Sequence, residues 1–219
     1  SKIEYIVLDK EPANLKTINK NDSSLLKESK TLDNALIREN FQRNFALKKL
    51  HEVNDNDLIL INDLDEIPEL KNFSYKNKIT IFKQRMLYFK FNLVYKNLSW
   101  TGSKICKKKD LISPQWLRNI KTRKYPLWRL DIFFSKKKYN NIEIIENGGW
   151  HFTNIKTADE IHHKMKSFLH HFEYENSGLN PEMIEKLIKD KKALYNYNAD
   201  QRDNKWSNNT ELEKINLEF

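Results

Sequence analysis

Hydrophobic and polar positions along this chain form patterns that predict both strands and helices. Short apolar runs predict strands at residues 3–9, 57–61, 79–82 and 142–145. Longer runs rich in aromatic and β-branched residues predict strands at residues 86–95 and 98–106. The run Leu58-Ile59-Leu60-Ile61 is short and is soon followed by carboxylates, which is typical of a central strand in an α/β sheet.

Apolar residues that recur every three or four positions predict the helices. The first predicted helix runs from Leu32 to His51, with Asp33 as its cap and an apolar stripe of Ile37, Phe41 and Phe45. A short helix is predicted at residues 111–120.

Two further helices are predicted in the C-terminal part. One runs from Thr157 to Glu175 and begins with a capping box of Thr157 and Glu160. Its predicted apolar face consists of Ile161, Met165, Phe168, Leu169 and Phe172. The other runs from Pro181 to Tyr197, with Asn180 and Pro181 at its start. The order of elements predicts an α/β fold with some antiparallel strands: a domain over residues 1–176, then a C-terminal helix and a polar tail over residues 177–219.

Composition narrows the function classes. The 219 residues carry a formal net charge of +9, with short basic runs at residues 107–109 and 136–138. The basic residues are scattered, which favours a solvated basic face, and nothing matches a nucleic-acid-binding module. No apolar run approaches the ~20 residues of a membrane span. With Cys106 as the single cysteine, no intrachain disulfide is available, so a reducing, cytoplasmic location is expected.

The segment Asp63-x-Asp65-Glu66 carries the most specific chemistry. Three carboxylates lie within four residues, just after a predicted strand, where open α/β sheets bind ligands. Hard oxygen ligands of this kind suit Mg²⁺ or Mn²⁺, and such an ion can bind a diphosphate. The alternative is an acidic turn without a ligand.

Two other segments are candidates for ligand contact. Arg38 and Gln42 lie four residues apart on the first helix, with Arg43 beside them, and such a row can hold phosphate oxygens. Residues Gly148-Gly149 permit a sharp turn before Trp150, which can stack on a sugar, and His151, which can ligate a metal. Spacing alone also fits a surface helix face and a structural histidine.

Taken in order, several segments resemble glycosyltransferase family 17, which includes the β-1,4-mannosyl-glycoprotein 4-β-N-acetylglucosaminyltransferases. The matching segments cover roughly residues 35 to 175. They are Arg38-Glu39-Asn40-Phe41-Gln42-Arg43-Asn44, Ile61-Asn62-Asp63-Leu64-Asp65-Glu66-Ile67-Pro68, Gln84-Arg85-Met86-Leu87-Tyr88-Phe89, Trp100-Thr101-Gly102-Ser103-Lys104, Gly148-Gly149-Trp150-His151-Phe152-Thr153 and Lys164-Met165-Lys166-Ser167-Phe168.

The resemblance implies a GT-A-like fold and an inverting, metal-assisted transfer from a nucleotide sugar such as UDP-GlcNAc to a glycan or lipid-linked sugar. The implied ligands of Mn²⁺ or Mg²⁺ are Asp63, Asp65 and His151. The implied donor-binding residues are Arg38, Gln42, Arg43, Asp63, Lys104 and Trp150. Family members have a longer N-terminal portion, so either the strand predicted at residues 3–9 replaces their first strand or that strand is missing. Residues 131–145 match the family poorly.

The catalytic base has one first candidate, Glu66, because it belongs to the same loop as the metal ligands. The alternative for Glu66 is to orient neighbouring groups. Two other functions stay open: a basic protein that binds nucleic acid or another polyanion, and a metal-dependent phosphohydrolase. A cytoplasmic microbial or viral enzyme is expected, with peripheral contact to anionic lipid as a further expectation.

Overall fold

The fold is mixed α/β, with two mixed sheets and several helices among the residues that the structure describes. The structure is a computed structural model, and it describes residues 3–126, 128–167, 171–199, 205–206 and 209–216. The chain divides into two compact units. The first comprises Ser1–Ile61 and Ile105–Asn140, and the second comprises Asn62–Lys104 and Asn141–Phe219. The predicted boundary after residue 176 stays a prediction.

The first unit contains two helices, α1 (Ser24–Phe45) and α2 (Pro114–Asn119), and strand β1 (Leu58–Ile61). Strand β1 lies at the end of its strand order, beside β6 (Lys104–Lys107). Its Leu58 is exposed and only Ile59 is buried, so the expectation of a central strand was wrong. Buried apolar side chains of this unit include Ile59, Ile105, Cys106, Trp116, Leu117, Ile120 and Ile132.

Helix α1 begins eight residues earlier than predicted and ends at Phe45. Its cap is Ser23, whose side chain accepts a hydrogen bond from the backbone N–H of Leu26, and not Asp33. The carboxylate of Asp33 instead forms an ion pair with Lys16, 2.5 Å away. The polar first turns of α1 carry no apolar periodicity, which is why the sequence pattern missed them.

The strand predicted at residues 3–9 is absent; this segment has no regular secondary structure. Its apolar side chains are largely exposed, and Tyr5 is 93% exposed. Apolar character over seven residues is compatible with a strand, but a strand forms only where a neighbouring strand pairs with it. The prediction was therefore wrong.

The second unit contains a five-stranded mixed sheet with the order β2-β8-β4-β5-β9. Its strands are β2 (Glu66–Pro68), β4 (Gln84–Tyr88), β5 (Leu93–Trp100), β8 (Gly149–Thr153) and β9 (Leu212–Lys214). Strand β8 is antiparallel to β2 and parallel to β4. The same unit contains β3 (Ile79–Phe82) and β7 (Ile142–Ile145), which are the strands that the two short apolar runs predicted. These two strands pair in parallel.

The predicted strand over residues 86–95 is in fact two antiparallel strands, β4 and β5, joined by a turn. Phe89 has a φ of 62°, which a strand residue cannot adopt, and the backbone N–H of Lys90 bonds to the carbonyl of Tyr88. The predicted strand over residues 98–106 is likewise broken, because β5 ends at Trp100 and β6 begins at Lys104.

Three shorter helices, α3 (Ala158–Lys166), α4 (His171–Ser177) and α5 (Pro181–Lys189), replace the two long helices predicted here. The capping box of Thr157 and Glu160 is confirmed, and so is the start of α5 at Asn180 and Pro181. Of the predicted apolar face, Ile161 and Met165 are buried. Phe168, Leu169 and the side chain of Phe172 lie outside the described residues.

The core of the second unit is rich in aromatic residues and includes residues from the predicted polar tail. Tyr88, Tyr95, Tyr174 and Tyr195 are buried together with Trp206 and Leu212. Strand β9 pairs with β5, so this part of the tail is ordered against the sheet. No helix among the described residues is long and apolar enough to cross a membrane.

Candidate functional site

The acidic loop that precedes β2 is folded as a closed turn in the second unit. The backbone N–H of Glu66 donates to the carbonyl of Asp63 at 3.1 Å. The Asn62 side chain donates to the carbonyls of Asp63 and Glu66, at 3.0 and 3.1 Å. Opposite this turn, the N–H of Phe152 donates to the carbonyl of Asp65 at 2.8 Å. These bonds hold the loop backbone against strand β8, and this backbone carries the two aspartates.

Glu66 is buried, with 2% of its surface exposed, and it accepts hydrogen bonds from at least three groups. Trp100 Nε1 lies 2.6 Å from Glu66 Oε1. The Ser103 hydroxyl and the backbone N–H of Asp63 lie 3.2 and 3.1 Å from Oε2. A carboxylate engaged in this way fixes the loop against β5 and the residues that follow it. These contacts favour the alternative stated for Glu66, that it orients its neighbours, over the role of catalytic base.

His151 lies directly opposite Glu66 in the β2–β8 register. Its imidazole stacks on the Trp100 ring, with centroids 4.5 Å apart. Its Nδ1 lies 2.8 Å from the Thr153 hydroxyl oxygen, and its Nε2 lies 3.7 Å from Asp65 Oδ1. When Nδ1–H donates to Thr153, the Nε2 lone pair is presented on the side of Asp65.

Burial lowers the pKa of His151 below its ordinary value. The charges of Asp65, Glu66 and Asp63 act in the opposite direction, and the charge of Lys164 acts in the same direction as burial. The net lowering favours the neutral imidazole at pH 7. The neutral form is the one that can ligate a metal ion or accept a proton.

The predicted metal ligands fit a divalent cation only as an incomplete set. Asp65 and His151 offer a carboxylate oxygen and an imidazole nitrogen, which are both ordinary ligands for Mn²⁺. Asp63 is close enough for its charge to act on His151. No group of three or more His, Cys, Asp or Glu side chains in the described parts of the chain could hold a metal ion. A cation here would thus need further ligands from water or from a bound diphosphate.

Gly149 brings β8 against β2, as the paired glycines suggested. Its φ is +125°, a conformation that side-chain-bearing residues rarely adopt. A Cβ at this position would lie 2.1 Å from the carbonyl oxygen of Ile67 and 2.8 Å from the Cα of Pro68. Only glycine allows this close approach, which sets the register between His151 and Glu66.

Two predicted donor-binding residues of the second unit, Trp150 and Lys104, differ in their exposure. Trp150 is partly exposed and precedes His151 on β8, so its side chain faces the opposite side of the sheet. Lys104 is buried at the start of β6. Their roles in donor binding stay predictions.

Lys164 is a residue of this site that the sequence prediction did not assign. It lies on α3, is half-buried, and donates from Nζ to Asn154 Oδ1 at 3.2 Å. Burial lowers its pKa, and the nearby charge of Asp65 opposes that lowering. Lys164 belongs to one of the segments that resemble family 17, and this resemblance is the sequence signal that could have assigned it to the site. Trp100 and Ser103 belong to another such segment.

The remaining predicted donor-binding residues lie in the first unit. Arg38 and Gln42 line a pocket of about 320 Å³ together with Leu8, Asp9, Lys10, Glu11, Pro12 and Phe41. Arg38 Nε donates to Glu11 Oε1 at 2.9 Å, and both side chains are well exposed. Arg43 does not line this pocket; its guanidinium donates to Gln115 and to Glu39.

Comparisons of this chain with protein-family models, with curated proteins and with solved structures give no match.

Proposed function

We propose that this protein is an inverting glycosyltransferase with a GT-A-like fold. It transfers a GlcNAc-like sugar from a nucleotide-sugar donor such as UDP-GlcNAc to a hydroxyl of a glycan or a lipid-linked sugar. The proposal rests on the ordered segments that resemble glycosyltransferase family 17, and one structural observation supports it best. That observation is the proximity of Asp65 Oδ1 and His151 Nε2, 3.7 Å apart, in a loop held by the buried Glu66.

In this proposal each residue of the cluster has a separate task. Asp65, Asp63 and the neutral His151 would hold Mn²⁺ or Mg²⁺, which supplies positive charge next to the diphosphate leaving group. Lys164 adds a cationic side chain near Asp65 that can bind a phosphate oxygen. Glu66 and Trp100 fix the loop and the His151 ring. The acceptor hydroxyl loses its proton to a base, for which Glu66 remains the sequence-based candidate.

Nucleotide sugars are expected to stabilise the full chain selectively in a thermal-shift screen that includes Mn²⁺. A donor present at about 100 times its Kd stabilises the folded state by about 2.7 kcal/mol, which corresponds to a rise of roughly 5–10 °C for a chain of this size. The screen compares UDP-GlcNAc with other nucleotide sugars, with UDP alone and with EDTA. If neither UDP nor any nucleotide sugar raises the unfolding temperature, with or without Mn²⁺, the proposed donor class is wrong.

Asp65→Asn is expected to abolish the Mn²⁺-dependent part of that stabilisation, because an amide is a much weaker ligand for a hard cation than a carboxylate. The unfolding temperature without ligand should change little, since the Asp65 side chain is partly exposed. Asp159→Asn, an exposed aspartate in the first turn of α3, is the matched control and should retain the full response. Full Mn²⁺-dependent donor binding in Asp65→Asn would remove this residue from the site.

Arg38→Ala is expected to weaken binding of a nucleoside diphosphate by roughly tenfold in calorimetry, as for the loss of one charge-assisted hydrogen bond. Stability should change by less than about 1 kcal/mol, because the Arg38–Glu11 ion pair is solvent-exposed. Glu11→Gln breaks the same ion pair, keeps the guanidinium and removes a negative charge from the pocket, so its affinity should be no lower than that of the wild type. Equal affinities in Arg38→Ala and the wild type would place the donor elsewhere.

A further inference from the structure

Residues 121–138 of the first unit combine a high positive charge with exposed apolar side chains. The segment contains seven basic residues and one acidic residue, Asp131. It also presents four large apolar side chains that are mostly exposed: Trp128 (79%), Leu130 (73%), Phe133 (70%) and Phe134 (90%). Isolated exposed apolar residues are ordinary, but four within seven residues are a concentration of the kind that marks an interaction surface.

The segment is folded, so the exposure of these side chains does not result from an extended chain. Residues Leu130–Ile132 form a 3-10 turn, and Ile132 is buried beneath it. Asp131 accepts hydrogen bonds from Arg129, at 2.8 Å to each oxygen, and from Lys138 at 2.7 Å. These two partners lower the pKa of Asp131 to about 2, so the carboxylate stays charged near neutral pH.

The end of the segment is tied to α2 and to the residues that follow it. Trp116 Nε1 donates to the carbonyl of Lys136 at 2.7 Å, and the backbone N–H of Lys121 donates to the carbonyl of Lys137 at 2.8 Å. The lysine side chains at 136 and 137 are exposed. The turn therefore holds its apolar side chains next to exposed basic residues at both ends of the segment.

We propose that residues 121–138 form a docking surface for an anionic lipid bilayer, with Trp128, Leu130, Phe133 and Phe134 inserted at the interface. Tryptophan and phenylalanine partition to the boundary between head groups and acyl chains, while lysine and arginine side chains are attracted to anionic head groups. A polyanion such as nucleic acid would use the same positive charge but has no comparable use for exposed leucine and phenylalanine. This proposal does not depend on the proposed glycosyltransferase activity.

The test is flotation of the full chain with vesicles of phosphatidylcholine alone and with vesicles that contain roughly one-third phosphatidylglycerol. Binding to the anionic vesicles is expected to be much stronger than binding to phosphatidylcholine alone. Salt that screens the lysines should reduce it to the weak level seen with phosphatidylcholine, because the remaining apolar contribution is insensitive to salt. The double variant Trp128→Ser, Phe134→Ser should bind at least ~tenfold more weakly. Both side chains are exposed, so this variant should fold, which circular dichroism checks.

Matched controls separate this patch from the general properties of the chain. Tyr5→Ser combined with Leu25→Ser removes two other exposed apolar side chains of the first unit and should leave vesicle binding unchanged. Lys136→Glu with Lys137→Glu should weaken binding, whereas Lys71→Glu with Lys76→Glu, at two other exposed positions, should weaken it much less.

Three outcomes would overturn the proposal. One is the absence of binding to anionic vesicles. Another is binding that the Trp128→Ser, Phe134→Ser variant retains in full. A third is tight, salt-dependent binding to duplex DNA that competes with the vesicles and is unchanged by the apolar substitutions. That result would identify the basic residues as a polyanion site. Self-association that this variant abolishes, without vesicle binding, would instead identify a second copy of the chain as the partner.

Discussion

Replacing Gly149 with alanine is expected to destabilise the protein by roughly 4 kcal/mol or more, which ranks among the largest effects of a single substitution. The new Cβ would lie 2.1 Å from the carbonyl oxygen of Ile67 and within 3 Å of the backbone of Pro68 and Glu69. Those atoms belong to or follow β2, so the clash can be relieved only by moving that strand away from β8. The φ of +125° adds strain of about 1–3 kcal/mol.

Gly178→Ala is the matched control for this effect. Gly178 also has a positive φ, +69°, but a Cβ there would meet no atom within 4 Å. The control therefore measures the conformational cost alone, about 1–2 kcal/mol. Chemical denaturation followed by circular dichroism would compare the two variants. Equal losses of stability in Gly149→Ala and Gly178→Ala would show that close packing of β8 on β2 is not what requires glycine at position 149.

Local sequence signals predicted those features of the fold whose causes are local. The capping box of Thr157 and Glu160 and the start of α5 at Pro181 each depend on residues within one helical turn, and both are present in the structure. Short apolar runs also located β3 and β7. Turns that depend on a single strained residue were missed: Phe89 adopts a positive φ and splits one predicted strand into two, although its side chain is apolar.

Features that depend on distant partners could not be read from the chain. Tyr5 and its apolar neighbours look like a strand, but whether a strand forms depends on the residues that lie beside them. The segment predicted as a polar tail contains β9, which the sequence pattern did not predict. Its Leu212 is buried because it lies opposite Tyr95 on β5. Tyr95 lies far from Leu212 in sequence, so no periodicity within the tail records their pairing.

The candidate site, like the fold, was predicted only in part from the sequence. The carboxylates at 63, 65 and 66 and the histidine at 151 were predicted as one group, and the structure brings Asp65, Glu66 and His151 together in the second unit. The sequence did not reveal that Glu66 has a different environment from the other two carboxylates. Glu66 lies 34 residues from Trp100 and 37 from Ser103 in the chain, and these two contacts accompany its burial, whereas Asp63 and Asp65 are partly exposed.

Glu66→Ala is expected to destabilise the protein by roughly 3–5 kcal/mol, because it leaves three donors without their acceptor. These donors are the Trp100 indole N–H, the Ser103 hydroxyl and the Asp63 backbone N–H. Denaturation would compare this variant with Glu69→Ala. Glu69 is an exposed glutamate directly after β2, and its replacement should lower the free energy of unfolding by less than about 1 kcal/mol. A Glu66→Ala variant as stable as Glu69→Ala would contradict the structural role.

Glu66→Gln separates positioning from base catalysis in the folded protein. The amide retains one acceptor oxygen and places an NH₂ group against the remaining donors, so a moderate loss of roughly 1–2 kcal/mol is expected. If Glu66 positions the loop, the variant should lose Mn²⁺-dependent donor binding, because Asp65 and His151 no longer hold their geometry. If Glu66 were the base, donor binding would remain intact and only transfer to the acceptor would fall. The contacts of the buried carboxylate lead us to expect the first result, measured as donor affinity with and without Mn²⁺.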